Sequence, residues 1–187
     1  NQGTVNVNTD LSFNKANSTY SNSSNFNIAT GKTLTLSSTS PVFNQNGGTL
    51  AVNGTYNHTA GAFNFTGGAI TGTPILTSLA LSIGGGATPG ATLVVRASST
   101  LTSDIPAGQT VWVQGSGSGT ATLTSASGFN NAGTLKLESI TAGYQVNLAV
   151  TSGTLTNSST GIINVNGGAG GGRVITANLD NQGTVNL

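Results

Sequence analysis

The 187-residue chain has no cysteine and no methionine, and it has one histidine and one tryptophan. Without cysteine there are no disulfides and no thiolate metal centres, so stability has to come from packing and hydrogen bonding. Charge is equally scarce. Only 5% of the residues are charged, against roughly a quarter in an ordinary globular protein. The basic residues, Lys15, Lys32, Arg96, Lys136 and Arg173, are scattered, and the net charge is +1. No basic stripe exists to displace phosphate counterions, which argues against a nucleic-acid partner. The longest apolar-leaning run, Pro74 to Ile83, falls well short of the ~20 residues of a membrane-spanning helix. Helix signals are missing too, because Gly or Asn interrupts every window of helical length. The chain does not open on methionine, so we expect a processed form or a segment of something longer.

What remains is glycine, small polar residues and β-branched side chains. Hydrophobic residues reach 35%, which separates the chain from disordered polar sequences of low hydrophobicity and high net charge. Short alternations of apolar and polar residues recur throughout, such as Val5-Asn6-Val7, Phe26-Asn27-Ile28, Leu34-Thr35-Leu36, Phe63-Asn64-Phe65, Leu135-Lys136-Leu137 and Val146-Asn147-Leu148. Period-two alternation predicts strands with one buried face. Gly, Asn and Ser bound nearly all of them, as turn residues do.

A repeat selects the architecture. The pattern Asn-x-Gly-Thr-[Val/Leu]-x-[Val/Leu] occurs at Asn131–Leu137, Asn1–Val7, Asn46–Val52 and Asn181–Leu187. A shorter form, Gly-x-Thr-apolar-x-apolar, occurs at Gly31–Leu36, Gly90–Val95 and Gly108–Val113, with weaker relatives at Gly68 and Gly161. Gly3 and Gly183 lie 180 residues apart, so eight intervals average about 22 residues, the length of one coil of a solenoid with two or three short strands. Sandwich strands would recur about every 8–12 residues without repeating a local motif at twice that distance. Read this way, the glycine permits a positive φ or close approach to the coil below, and stacked Asn and Thr side chains form ladders. Residues 1–187 form a single domain. Loops or extra turns are expected at Asn14–Asn25, Gly84–Gly90, Gly115–Gly119 and Gly167–Gly172.

Leu155-Thr156-Asn157 before Gly161-Ile162-Ile163-Asn164-Val165, followed by Ala177-Asn178-Leu179-Asp180-Asn181-Gln182-Gly183-Thr184-Val185, resembles the repeats of large bacterial surface proteins. Autotransporter passengers and filamentous-haemagglutinin-like adhesins are the nearest such groups. The resemblance implies a right-handed parallel β-helix, display outside the cell, and a role as stalk, filament or adhesin. It carries no secretion-signal motif of the haemagglutinin type.

Chemistry is sparse. Asp10, Asp104, Glu138 and Asp180 fall on different coils and never form the local pair that glycoside hydrolysis uses. His58 is alone, too few ligands for a metal, and no cofactor motif is present. Gly115-Ser116-Gly117-Ser118-Gly119 matches a nucleophile elbow only as letters, in an all-β context. The run Gly167–Gly172 lacks the Lys-Ser/Thr ending of a phosphate loop and reads as a flexible loop. Thr-x-Thr pairs such as Thr33/Thr35, Thr71/Thr73 and Thr154/Thr156 raise ice binding, which needs them on one face at constant spacing. Alternation puts Trp112 opposite Val111 and Val113, so Trp112, with Tyr56 and Tyr144 near turns, is the candidate for contact with a glycan or another surface ligand. Thr4, Val5, Val7, Thr184, Val185 and Leu187 belong to strands expected to pair end to end with further coils of the same type. The expected function is thus non-catalytic and extracellular: a stalk, spacer or filament segment, with carbohydrate or ice binding as the alternative.

Overall fold

The computed structural model describes all 187 residues. It is a parallel β-solenoid of about eight turns with roughly 23 residues per turn and no helix. Each turn has three sides. In the first turn these are β1 (Thr4–Val7), β2 (Leu11–Phe13) and β3 (Thr19–Asn22). The second turn runs through β4 (Asn25–Ile28) and β5 (Thr33–Leu36) into β6 (Val42–Val52). The first half of β6 lies over β3, and its second half rounds the corner to lie over β4. The chain continues in the same sense through β7 (Thr55–His58), β8 (Ala62–Gly72), β9 (Ile75–Thr77), β10 (Ala80–Ala87), β11 (Thr92–Arg96) and β12 (Ser98–Leu101). It then passes through β13 (Thr110–Gly115), β14 (Ala121–Ser125), β15 (Phe129–Asn131), β16 (Thr134–Ser139) and β17 (Val146–Asn157). The last turns are built from β18 (Ile162–Val165), β19 (Arg173–Asn181) and β20 (Thr184–Asn186).

The second side is one nine-stranded sheet, β2-β5-β7-β9-β11-β13-β16-β18-β20. The first and third sides belong to a single eleven-stranded sheet, because long strands such as β6, β8 and β17 span the corner between them. Every strand-to-strand pairing is parallel, with the spacing of about 4.8 Å between strands that sheets share.

The alternating sequence explains the core. Two residues per strand point inward, and each position forms a column along the axis. On the second side one column runs Leu93, Val111, Leu135, Ile163, Val185. Its neighbour runs Leu36, His58, Leu76, Val95, Val113, Leu137, Val165. These residues belong to one continuous cluster of 34 buried side chains with its half-buried fringe, His58 being the polar exception. Branched side chains repeat along each column, and like shapes stack well on a pleated surface.

The repeat glycines divide into two kinds. Gly31, Gly90 and Gly108, of the shorter motif, have φ of 72°, 110° and 77°, a region costly for residues with a β-carbon. Of the longer motif, Gly48 also has a positive φ, 58°, whereas Gly133 and Gly183 do not. A β-carbon at those two would overlap backbone carbonyls of the turn below, Gln109 and Pro106 for Gly133, Ser158 and Gly161 for Gly183. The expected marker is therefore real but does not mark one side. The copies at Asn1 and Asn46 lead into first-side strands, β1 and β6, whereas those at Asn131 and Asn181 lead into second-side strands, β16 and β20. The motif encodes a kind of corner, and the triangle offers that corner more than once.

Two expected loops differ. Asn14–Asn25 contains β3, a side of the first turn, and Gly84–Gly86 lie within β10. Both are polar or glycine-rich stretches held by pairing with neighbouring turns.

Candidate functional site

The outer surface of the second side carries the only concentration of charge on a sheet face. Trp112 and Lys136 are register partners on β13 and β16, and Gln114 and Glu138 are partners two residues further on. The Lys136 ammonium lies 3.8 Å from the centre of the Trp112 ring, within cation–π distance, and it also pairs with Glu138. Arg96, on β11, donates from Nε to Gln114 Oε1 at 2.8 Å. Val94, the outward partner of Trp112 on β11, is 2% exposed although it faces away from the core. The indole therefore sits in a small external cluster, half-buried, with its Nε1 hydrogen buried and without an acceptor. The expected opposition of Trp112 to Val111 and Val113 is what the strand shows. The ring face on the Lys136 side is taken by that ammonium.

Tyr56 is a correction. It was expected near an exposed turn, yet it is fully buried. The pairing of β5 with β7 puts Tyr56 over Leu34, an inward position, so alternation outweighed the neighbouring turn. Its ring packs edge-on to Phe43 and Phe63 at 5.6 and 5.8 Å between centroids, the arrangement that ring quadrupoles favour. Its hydroxyl lies 3.4 Å from His58 Nδ1, and His58 Nε2 lies 3.2 Å from the Pro41 carbonyl oxygen. These partners suit the neutral imidazole that donates from Nε2 and accepts at Nδ1. Burial pushes the His58 pKa down to about 4, against the opposing pull of the Pro41 and Ala60 carbonyls. The same desolvation raises that of Tyr56 well above its usual value. Tyr144 is half-buried in the corner after β16.

The carboxylates are not brought together. Asp10 Oδ1 accepts from the Thr33 amide at 2.8 Å, and Asp104 Oδ1 accepts from the Asn130 amide at 2.7 Å. Asp180 accepts from Gln182 Nε2 at 2.8 Å, and Glu138 pairs with Lys136. Each is tied to its own corner or strand. Two clefts are present. One, of about 440 Å³, lies between the corners 101–104 and 125–129 and is lined by Ser103, Asp104, Ser125, Ser127 and Phe129. The other, of about 370 Å³, lies against the first turn and is lined by Phe13, Tyr20, Phe26 and Phe43. Phe13 and Tyr20 stack there at 4.3 Å. The Thr-x-Thr pairs do not share a face: Thr33/Thr35 lie on the second side, Thr154/Thr156 and Thr71 on the first, Thr100 on the third.

The strands expected to pair outward have free edges. β1 bonds only to β4, and β20 only to β18. Val7 is buried and Val5 half-buried, Thr4 and Thr184 are exposed, Val185 is half-buried, and Leu187 is 98% exposed beyond the last strand.

Sequence reasoning anticipated amide ladders but not where the buried ones run. Inside the corner after β15, Asn131 Nδ2 donates to Asn157 Oδ1 at 2.8 Å, and Asn157 Nδ2 donates to Asn181 Oδ1 at 2.7 Å. Inside another corner, Asn1 donates to Asn22 and Asn22 to Gln45, each at 2.8 Å. Outside, Asn27 donates to Asn6, Asn64 to Asn44 and Asn186 to Asn164, again at 2.8 Å. The only clue in the sequence was the spacing of Asn131, Asn157 and Asn181 by about one turn. The glycine run was read as flexible, but it wraps a cation. Arg173 donates to the carbonyls of Asn166, Gly167, Gly170, Gly171 and Gly172. The missed signal is the arginine directly after the run, whose five donors need acceptors.

Comparison with known proteins adds no relative: no family model, no curated protein and no solved structure matches the chain.

Proposed function

We propose that this chain is a non-catalytic structural segment, a stalk, spacer or filament piece of a bacterial surface adhesin or fibre, working outside the cell. The observation that carries the reading is the continuity of its ladders. Backbone bonds between turns and columns of side-chain amides both run along the solenoid axis, so a pull along the axis loads many parallel bonds at once. With each net hydrogen bond worth about 1 kcal/mol, stiffness comes from number and register and needs no reactive centre.

Composition agrees with such a role. A charge-poor surface of Thr, Ser and Asn stays wet, and the stacked turns do without the disulfides an oxidising exterior permits. The free edges of β1 and β20 suit pairing with another turn of the same kind, either of a second copy or of the same polypeptide. Electron microscopy of the native protein tests the reading: a rod or filament is expected, and a compact, non-extended particle overturns it. Light scattering of the purified 187-residue chain across a concentration series tests self-association separately. Growth in mass is expected, and a monomer throughout removes self-pairing.

A further inference from the structure

Asn-Gly dipeptides occur at Asn46-Gly47, Asn53-Gly54 and Asn166-Gly167. In such a pair the glycine backbone nitrogen can attack the asparagine side-chain amide carbon, since no β-carbon on the glycine obstructs it. A nitrogen–carbon bond forms, the side-chain nitrogen leaves as ammonia, and the glycine amide proton goes to solvent base. Water then opens the resulting succinimide at either carbonyl, giving aspartate or isoaspartate. The attacking nitrogen must be free of a hydrogen bond, and the backbone must be able to turn.

The fold distributes these conditions unequally. Asn46 and Gly47 lie inside β6, and Asn46 Oδ1 accepts from Thr66 Oγ1 at 2.9 Å. The Asn53 and Gly54 amides both donate to the Ile28 carbonyl at 3.1 Å. Gly54 also packs so closely on the carbonyls of Lys32 and Ala29 that no β-carbon fits. Asn166-Gly167 differs at the reacting groups, although the Asn166 amide donates to the Leu137 carbonyl at 2.9 Å and Arg173 holds both of its carbonyls. The Gly167 amide and the Asn166 side chain make no hydrogen bond, Gly167 is exposed, and nothing lies within 4 Å of where its β-carbon would be. Arg173 Nε donates to the Asn166 carbonyl at 2.9 Å, so a new carboxylate at this position would form beside a guanidinium that pairs well with it.

We propose that Asn166-Gly167 is a site of spontaneous succinimide formation and conversion to aspartate and isoaspartate, while stacking of the turns protects the other two pairs. The folded protein is incubated at mildly alkaline pH, and peptides are mapped by mass spectrometry with chromatographic separation of isoaspartate. Conversion at Asn166 is expected at least about tenfold faster than at Asn46 or Asn53, the factor that one retained hydrogen bond supplies. In the urea-unfolded chain the three rates should converge. Gly167→Ala, which has room in the fold, should slow the reaction at position 166 without altering the circular dichroism spectrum. Equal rates in the folded protein, or an unchanged preference for Asn166 after unfolding, overturns the proposal.

Discussion

Acid should weaken this protein through one residue. His58 is fully buried between Leu36 and Leu76 in an apolar column, and burial lowers its pKa from the ordinary 6.5 to about 4. Above pH 6.5 the imidazole is neutral whether the chain is folded or not, and His58 contributes no pH dependence. Between 6.5 and 4 the unfolded chain takes up a proton that the folded chain refuses, so stability falls as pH falls. Below about 4 both forms carry the proton and the loss from this group is complete. A gap of about 2.5 units at 1.36 kcal/mol each gives a loss of roughly 3 kcal/mol, a large share of a typical folding free energy of 5–15 kcal/mol. The assay is urea unfolding followed by circular dichroism at neutral pH and at steps down to pH 4, for the native chain and for His58→Leu. Leucine matches the column, and both proteins share the same carboxylates, so the difference between their pH profiles isolates the imidazole. Native stability should drop by about 1.4 kcal/mol per pH unit more than the variant's across that window. Parallel profiles would refute the reasoning.

Three further outcomes follow from the packing. Asn157→Leu removes the Asn157 acceptor from the buried Asn131 amide, which keeps only the Ile162 carbonyl, and takes the donor from the exposed Asn181. It should cost about 2–4 kcal/mol by urea titration, whereas Asn27→Leu on the outside should stay within about 0.5 kcal/mol. Gly133→Ala drives a methyl group into the carbonyls of Gln109 and Pro106 and should cost more than about 2 kcal/mol; Gly3→Ala, with nothing nearby, should be neutral in the same thermal melt. Arg173→Lys removes the fork that gathers five carbonyls, and limited proteolysis should then cut within 167–172 faster than in the native chain.

The parts of the fold that were legible in the sequence are those that depend on a single turn. Alternation in Leu34-Thr35-Leu36 or Val111-Trp112-Val113 gives the inward and outward faces, and the recurrence of one motif gives a turn of about 22 residues, against roughly 23 in the structure. What depends on the relation between turns was hidden. Asn1–Val7 and Asn131–Leu137 read alike yet enter different sides, because a corner is specified locally and two of the three corners use the same motif. Tyr56 was misplaced for the related reason that its environment is set by Leu34, a turn away. Buried amides were missed because a lone Asn at a strand end looks solvated until its copy in the next turn supplies the other half of the bond.

The amide columns also have a direction. Within the corners each side chain donates toward the end of the solenoid where the chain finishes, from Asn1 to Asn22 to Gln45 and from Asn131 to Asn157 to Asn181. On the outer faces the sense reverses, from Asn27 to Asn6, Asn64 to Asn44 and Asn186 to Asn164. An α-helix adds its peptide dipoles head to tail and carries partial charges at its ends. Here the inner and outer amide dipoles oppose one another, so extending both kinds of column leaves little net polarity from them. In this respect length is electrostatically cheap, and a charge-poor chain can grow turn by turn without ion pairs to neutralise its ends.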